Sequence, residues 1–206
     1  MSNENCNVAF DTNGNRIVIK AGGTLRIEDQ GVIETTKGLG AKGGSVTAVT
    51  EHIGTVHKTI LTLTAVVIAT VDATTNGAQG TLPLYTFPAE NIIIHGATLN
   101  VTTLGDGTGI TTTSALISSI GTVAAAADVT LTGTEANIVP SNTGTLAASI
   151  GAFHATSTGP LSVDSTATPV VARLNIVAPD AGSTANGTVT VTGTITIVWI
   201  STGASQ

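Results

Sequence analysis

Between Thr188 and Trp199 the chain alternates without a break: Thr188, Thr190, Thr192, Thr194 and Thr196 fall between Val189, Val191, Gly193, Ile195, Ile197 and Trp199. A period of two is the period of a β-strand, whose successive side chains point to opposite faces. One face of such a strand is apolar and fit for a core; the other is hydroxyl-lined. Threonine suits the second role because its branched Cβ favours extended backbone while its hydroxyl meets water or a neighbour. With 39 threonines in 206 residues, the same pattern recurs along the chain. Leu61, Leu63, Ala65 and Val67 alternate with Thr62, Thr64 and Val66; Ile93, Ala97, Leu99 and Val101 with Ile94, Thr98, Asn100 and Thr102; Val170, Ala172, Leu174 and Ile176 with Arg173 and Asn175. Shorter strands are expected over 17–20, 24–28, 45–50 and 129–132.

Turn formers punctuate these runs: Asn13-Gly14, Asn76-Gly77, Gly105-Asp106-Gly107, Asn142-Thr143-Gly144 and Asn186-Gly187. Many short strands at such intervals point to an all-β sandwich. Helix signals are poor: the Ala-rich stretches 123–128 and 146–153 have room for single turns only. A glycine-rich link, Gly38-Leu39-Gly40-Ala41-Lys42-Gly43-Gly44, reads as a boundary without a packed element of its own. It divides an N-terminal arm with linker, 1–44, from a sandwich body, 45–206.

Charge supports that division. Arg16, Lys20, Arg26, Lys37, Lys42 and Lys58 all precede Thr59, and only Arg173 follows it. The first 58 residues hold six basic and six acidic side chains; the remainder holds one and seven. Charged residues make up 10% of the chain, against about 25% in a typical soluble domain, so much of the surface is expected to face sister subunits or a larger assembly. A net charge of −6 argues against a nucleic-acid partner, which would require basic patches. No secretory signal is read in the polar first ten residues, and the apolar run 60–71 is too short for a helix that crosses a bilayer. The lone Cys6 rules out an intramolecular disulfide framework.

Chemistry-bearing motifs are weak. Gly38-Leu39-Gly40-Ala41-Lys42-Gly43 formally matches a dinucleotide fingerprint, but that motif needs a helix after it, and Ser45-Val46-Thr47-Ala48-Val49 reads as a strand. Asp11-Thr12-Asn13-Gly14-Asn15 lacks the closing acidic ligand of a calcium loop. His52, His57, His95 and His154 are scattered, and no metal or other cofactor is expected. His95 shares the parity of Ile93, Ala97 and Leu99 and reads as a core or subunit-boundary residue. Glu28 and Asp29 are adjacent and diverge on a strand, and no Gly-x-Ser-x-Gly elbow is present. No catalytic residue emerges, and the expected class is structural protein rather than enzyme. Tyr85 and Phe87 read as anchors of the loop entering the strand that begins at Ile92, and Trp199 as core or interface.

Leu84-Tyr85-Thr86-Phe87-Pro88 with the strand after it, Leu131-Thr132-Gly133-Thr134-Glu135, and the terminal 189–199 strand resemble structural proteins of tailed-bacteriophage virions. Ala21-Gly22-Gly23-Thr24-Leu25-Arg26-Ile27 resembles the extended N-terminal segments of head decoration proteins and head fibres. The resemblance implies a capsid cement (decoration) protein: synthesised in a host cytoplasm, seated on the capsid exterior, bound to the major capsid protein, often trimeric, and without catalytic residues. The expectation is thus an all-β, jelly-roll-like antiparallel β-sandwich with an extended arm. Arg16, Lys20, Arg26, Lys37 and Lys42 would dock on the shell; Tyr85, Phe87, His95 and Trp199 would serve core or subunit interface. The alternative is a trimeric fibre or receptor-binding adhesin of the virion.

Overall fold

The computed structural model describes residues 8–10, 17–19, 40–52, 56–72, 77–105, 109–110, 116–126, 130–147, 150–179 and 185–203. The chain forms two compact units, Met1–Ile33 and Glu34–Gln206. In the first, β1 (Val8–Phe10) and β2 (Ile17–Ile19) pair antiparallel, with Val8 opposite Ile19. The expected strand over 24–28 lies outside the described residues.

The second unit is all antiparallel β, with no α-helix among the described residues. Its strands are β3 (Ala41–Lys42), β4 (Ala48–His52), β5 (His57–Asp72), β6 (Ala78–Thr86), β7 (Asn91–Gly105), β8 (Ile117–Gly121), β9 (Val139–Thr143), β10 (Thr145–Ala147), β11 (Ile150–Thr156), β12 (Leu161–Asp164), β13 (Val171–Ala178) and β14 (Gly187–Gly203). They run in the order β10-β11-β7-β14-β5-β6-β13-β8-β9, with β12 on β7, β3 on β6 and β4 on β5. β5 joins the two layers. Most of its length pairs with β14, but Val71 and Asp72 pair with Gln79 and Ala78 at the start of β6. At the other end β9 comes against β11 and β7, so the sheet nearly closes into a barrel-like sandwich. Leu61, Ile68, Leu84, Leu99, Ile120, Leu174 and Ile195 are among the side chains that fill it.

The central strand keeps the sequence pattern. Val189, Val191, Ile195, Ile197 and Trp199 are all buried, as their alternation requires. Its two neighbours do not. In β5 the register slips between Val191 and Gly193, with Val66 opposite the former and Leu63 opposite the latter. This bulge puts Ala65 at φ 50° and flips the parity after it, so Val66 and Ile68 are buried while Ala65 and Val67 face out. In β7 a slip opposite Val198 and Trp199 lodges His95 as the extra residue. Ile92 and Ile94 therefore point inward before it, and Ala97 and Leu99 after it. His95 is exposed, so its expected place in the core is not where it sits. A plain alternation count runs straight through both bulges.

Other expectations also change. The stretch 146–153, read as a possible helical turn, belongs to the hairpin of β10 and β11. Thr130, Leu131 and Thr132 are not a strand; they lead into a 3₁₀ turn over Gly133–Glu135, where Thr132 and Glu135 form a capping box.

The glycine-rich link is packed rather than open. β3 pairs with the end of β6, Ala41 opposite Thr86 and Lys42 opposite Tyr85. Gly43 N–H donates to Leu84 O at 2.7 Å, and a Cβ on Gly43 would stand 1.9 Å from Pro83 O. Thr47 N–H donates to Thr62 O, its hydroxyl accepts from Thr64 N–H, and Val46 is 1% exposed. Residues 40–47 thus fill the seam where β5 and β6 part. The boundary between units falls at Ile33/Glu34, ahead of the glycines rather than after them.

Candidate functional site

Three of the residues singled out in the sequence come together. Trp199, Tyr85 and Phe87 are each buried to within 1%, and their rings pack edge-on or tilted, with Phe87 at 5.3 Å from Tyr85 and 5.6 Å from Trp199 between centroids. His57 stacks on Trp199 at 4.3 Å. The polar edges of Trp199 and Tyr85 are satisfied by β5, β4 and the glycine segment, whereas His57 Nδ1 is buried without a hydrogen-bond partner. Trp199 Nε1–H donates to Thr59 Oγ1 at 2.9 Å; Tyr85 O–H donates to Glu51 Oε1 at 2.5 Å and accepts from Gly40 N–H at 2.9 Å. Burial is the main cause that raises the Tyr85 pKa well above its usual value, and the hydrogen bond and negative charge of Glu51 add to it. This phenol is held neutral. It works as a fastener between β6, β4 and the glycine segment, with the cluster closing one end of the core.

His95 does not join that cluster. Arg16, Lys20, Arg26 and Lys37 lie outside the described residues, as does Cys6. Lys42 is described: on β3 its Nζ donates to Val46 O at 2.8 Å, which closes the turn inside the seam.

The outer faces of the two layers differ; a hydroxyl-lined face was expected from the alternation of threonine, a covered one was not. Behind β6, β13 and β8, residues 122–126 and 130–138 lie across the sheet. Asn175, expected on a solvent face, is fully buried and holds this cover. Its Nδ2 donates to Val123 O (2.9 Å) and Glu135 O (2.8 Å), and its Oδ1 accepts from Thr81 Oγ1 (2.8 Å) and Ala125 N–H (3.0 Å). Ser119 Oγ also donates to Glu135 O, and Thr122 and Asn137 exchange two hydrogen bonds. Gly121 has to be glycine here, because a Cβ would lie 2.2 Å from Glu135 C. Leu131 and Val177 are buried beneath this cover, apart from the main core.

The outer face of β11, β7, β14, β5 and β4 carries no such cover in the described residues. Thr98 stands opposite Thr196, Asn100 opposite Thr194 and Thr102 opposite Thr192, and β5 continues the rows with Thr62 beside Thr194 and Val67 beside Thr190. Thr98, Asn100, Thr102, Thr192 and Thr194 are exposed, and Val67 is 59% exposed. Among the described residues, no Asp, Glu, Lys or Arg occupies an outward position between the Thr98–Thr196–Ile60 row and the Thr188–Ala69 row. A shallow depression of about 230 Å³ opens at one end of this face, bordered by Gly96, Ala97, Thr98, Thr156, Thr196 and Val198.

Among the described residues, no group of three or more His, Cys, Asp or Glu is placed to hold a metal ion. No helix among the described residues is long and apolar enough to cross a membrane. No family model, characterised protein or solved structure matches the chain.

Proposed function

We propose that this chain is a virion structural protein that binds the outer surface of a phage capsid and stabilises the shell by bridging capsomers. The observation that carries this reading is the division of the chain at Ile33/Glu34. The small leading unit contains a two-stranded hairpin and the basic residues Arg16, Lys20 and Arg26. It holds three basic and four acidic residues, whereas the body holds four and nine, which together give the whole chain's 7 and 13. The leading unit is the part least repelled by an acidic shell, and its short strands suit addition to a sheet edge of the major capsid protein. The body, with few charges and extensive β-pairing, would then stand outward as the rigid part of the bridge. Stabilisation would follow from binding the assembled lattice in preference to free capsomers.

The test is binding to purified capsids by co-sedimentation, with the full chain against a chain that lacks residues 1–33. The seam residues 40–47 must be kept, since they belong to the sandwich. The full chain is expected to pellet with capsids at a copy number near that of the shell subunit, and the truncated chain to stay in the supernatant. Equal binding by both chains would sink the docking role of the leading unit. A count of a few copies per purified virion would favour the fibre or receptor-binding reading instead.

A further inference from the structure

The two layers of the sandwich present opposite surfaces, and one of them is unfinished. Behind β6, β13 and β8 the chain covers its own sheet; behind β7, β14 and β5 the described residues leave rows of threonine and valine in the open. We propose that this second face is a self-association surface, covered by the same face of a second copy of the chain.

Charge is the first argument. The chain carries a net charge of −6, so two copies repel, and contact is least costly where neither has a charge to bury. The face between the Thr196 and Thr188 rows meets that condition, because no Asp, Glu, Lys or Arg stands on it among the described residues. Burying the rows between them costs no ion desolvation, which is the term that most often makes a surface unfit to be covered; exposed Lys58, on the next row opposite Val198, stands at the rim of the face. The hydroxyls that line it both donate and accept, so two identical threonine faces can satisfy each other, whereas two lysine or two carboxylate faces cannot.

Size is the second argument. Strands spaced at about 4.8 Å and rising about 3.3 Å per residue give the five-strand face from Thr188 to Thr196 a footprint of about 600 Å². A corrugated surface of that footprint approaches the roughly 800 Å² per partner that a stable interface buries.

Shape is the third. Val67 projects on β5 beside Thr190, and the depression bordered by Gly96 and Ala97 opens beside Thr196, about 20 Å further along β14 by the strand rise. A two-fold axis lying in the plane of the face, midway between the two features, sets each Val67 against the depression of the other copy. The bulge that turns Val67 outward is then part of the interface: without it, this valine would point into the core.

The proposal is tested by sedimentation velocity on the purified full chain, from about 1 µM to about 200 µM. The wild type is expected to form a dimer or a higher multiple of the 20.4 kDa chain. Thr194→Lys and Thr102→Glu each place a charge in the middle of the face and are expected to weaken association at least about 100-fold, the loss of about 2.7 kcal/mol that follows when a buried charge is left unpaired. Thr168→Lys, on an exposed turn away from the face, makes the same charge change as Thr194→Lys and is expected to sediment as wild type. Far-UV circular dichroism checks the fold of each variant, and either face variant alone suffices. A wild type that stays monomeric at 200 µM overturns the proposal, as does a multimer whose mass neither face variant alters. No capsid enters this assay, so its result is separable from that of the docking reading.

Discussion

The layer of β6, β13 and β8 and the layer of β7, β14 and β5 share one core but treat their outer faces differently. The first is sealed by residues 122–126 and 130–138 of its own chain, and the seal depends on a side chain, Asn175, whose four hydrogen-bond positions are all used. The second is bare of any returning segment among the described residues, and its threonines are tied to their own and adjacent strands, with Thr192 Oγ1 accepting from Ala65 N–H and Thr102 Oγ1 donating to Thr192 O. A buried amide that is fully satisfied specifies a single arrangement, since any shift leaves polar groups unpaired in a place where that is costly. An exposed hydroxyl specifies less, because water can replace its partner at little cost. The chain thus fixes its structure on one side and keeps the other available.

The largest expected effect comes from breaking the seal. Asn175→Ala removes four hydrogen bonds under the cover and leaves Val123 O without its donor, while Glu135 O keeps Ser119 Oγ and Ala125 N–H keeps Thr81 Oγ1; it is expected to cost about 3 kcal/mol. By the usual scaling this lowers the melting temperature by about 6–12 °C, measurable by calorimetry. Thr194→Ala at the middle of the bare face is expected to change monomer stability by less than about 0.5 kcal/mol under the same conditions, because it removes no buried partner. Equal costs at the two positions would erase the contrast.

The seam between the layers should respond to alkali. Tyr85 is the single tyrosine of the chain, and its folded pKa is raised above the unfolded value of 10.0. A raised acid leaves stability intact below the unfolded pKa and removes it as pH climbs past that value, because the unfolded chain then loses a proton that the folded chain retains. Above pH 10 stability should fall by up to about 1.4 kcal/mol per pH unit from this group. Absorbance at the tyrosinate band should stay silent until the chain unfolds, and Tyr85→Phe should remove this group's share of the slope. Tyrosinate appearing in the folded protein near pH 10 would show that the seam is open to water.

Much of this contrast was beyond a reading of the sequence, for definable reasons. β14 was legible because its pairing is regular and one face is wholly apolar, so the count of two never fails between Val189 and Trp199. β5 and β7 were legible as strands but not in their facing, because each carries one extra residue, at Ala65 and at His95, that reverses every side chain beyond it. Hints exist in hindsight: two valines in succession at 66–67 and three isoleucines at 92–94 break the alternation beside each bulge. Asn175 left no hint at all. A polar residue between Leu174 and Ile176 looks like a solvent face whether water or a returning loop lies over it. The glycines of 40–44 were read as slack because flexibility is their commonest use, yet Gly40 and Gly43 are there so that backbone can lie against β6 without a Cβ between them.

The smallest measurable gain in stability is expected at the bulge that shapes the bare face. Ala65 sits at φ 50°, a conformation that glycine adopts without a penalty and alanine does not. Ala65→Gly should therefore stabilise the chain by about 0.5–1 kcal/mol, seen as a raised denaturant midpoint at unchanged slope. Destabilisation would mean that the bulge is held by the methyl group rather than strained by it.

The contrast between the two faces is read most directly by carbene footprinting of the wild-type chain across a concentration series, with the labelled positions located by mass spectrometry. The account predicts that labelling around Thr98, Thr102, Thr192, Thr194 and Val67 falls as concentration rises, while labelling over 122–126 and 130–138 stays constant. Labelling of the threonine face that remains unchanged up to about 200 µM, or that falls equally on both faces, would contradict it.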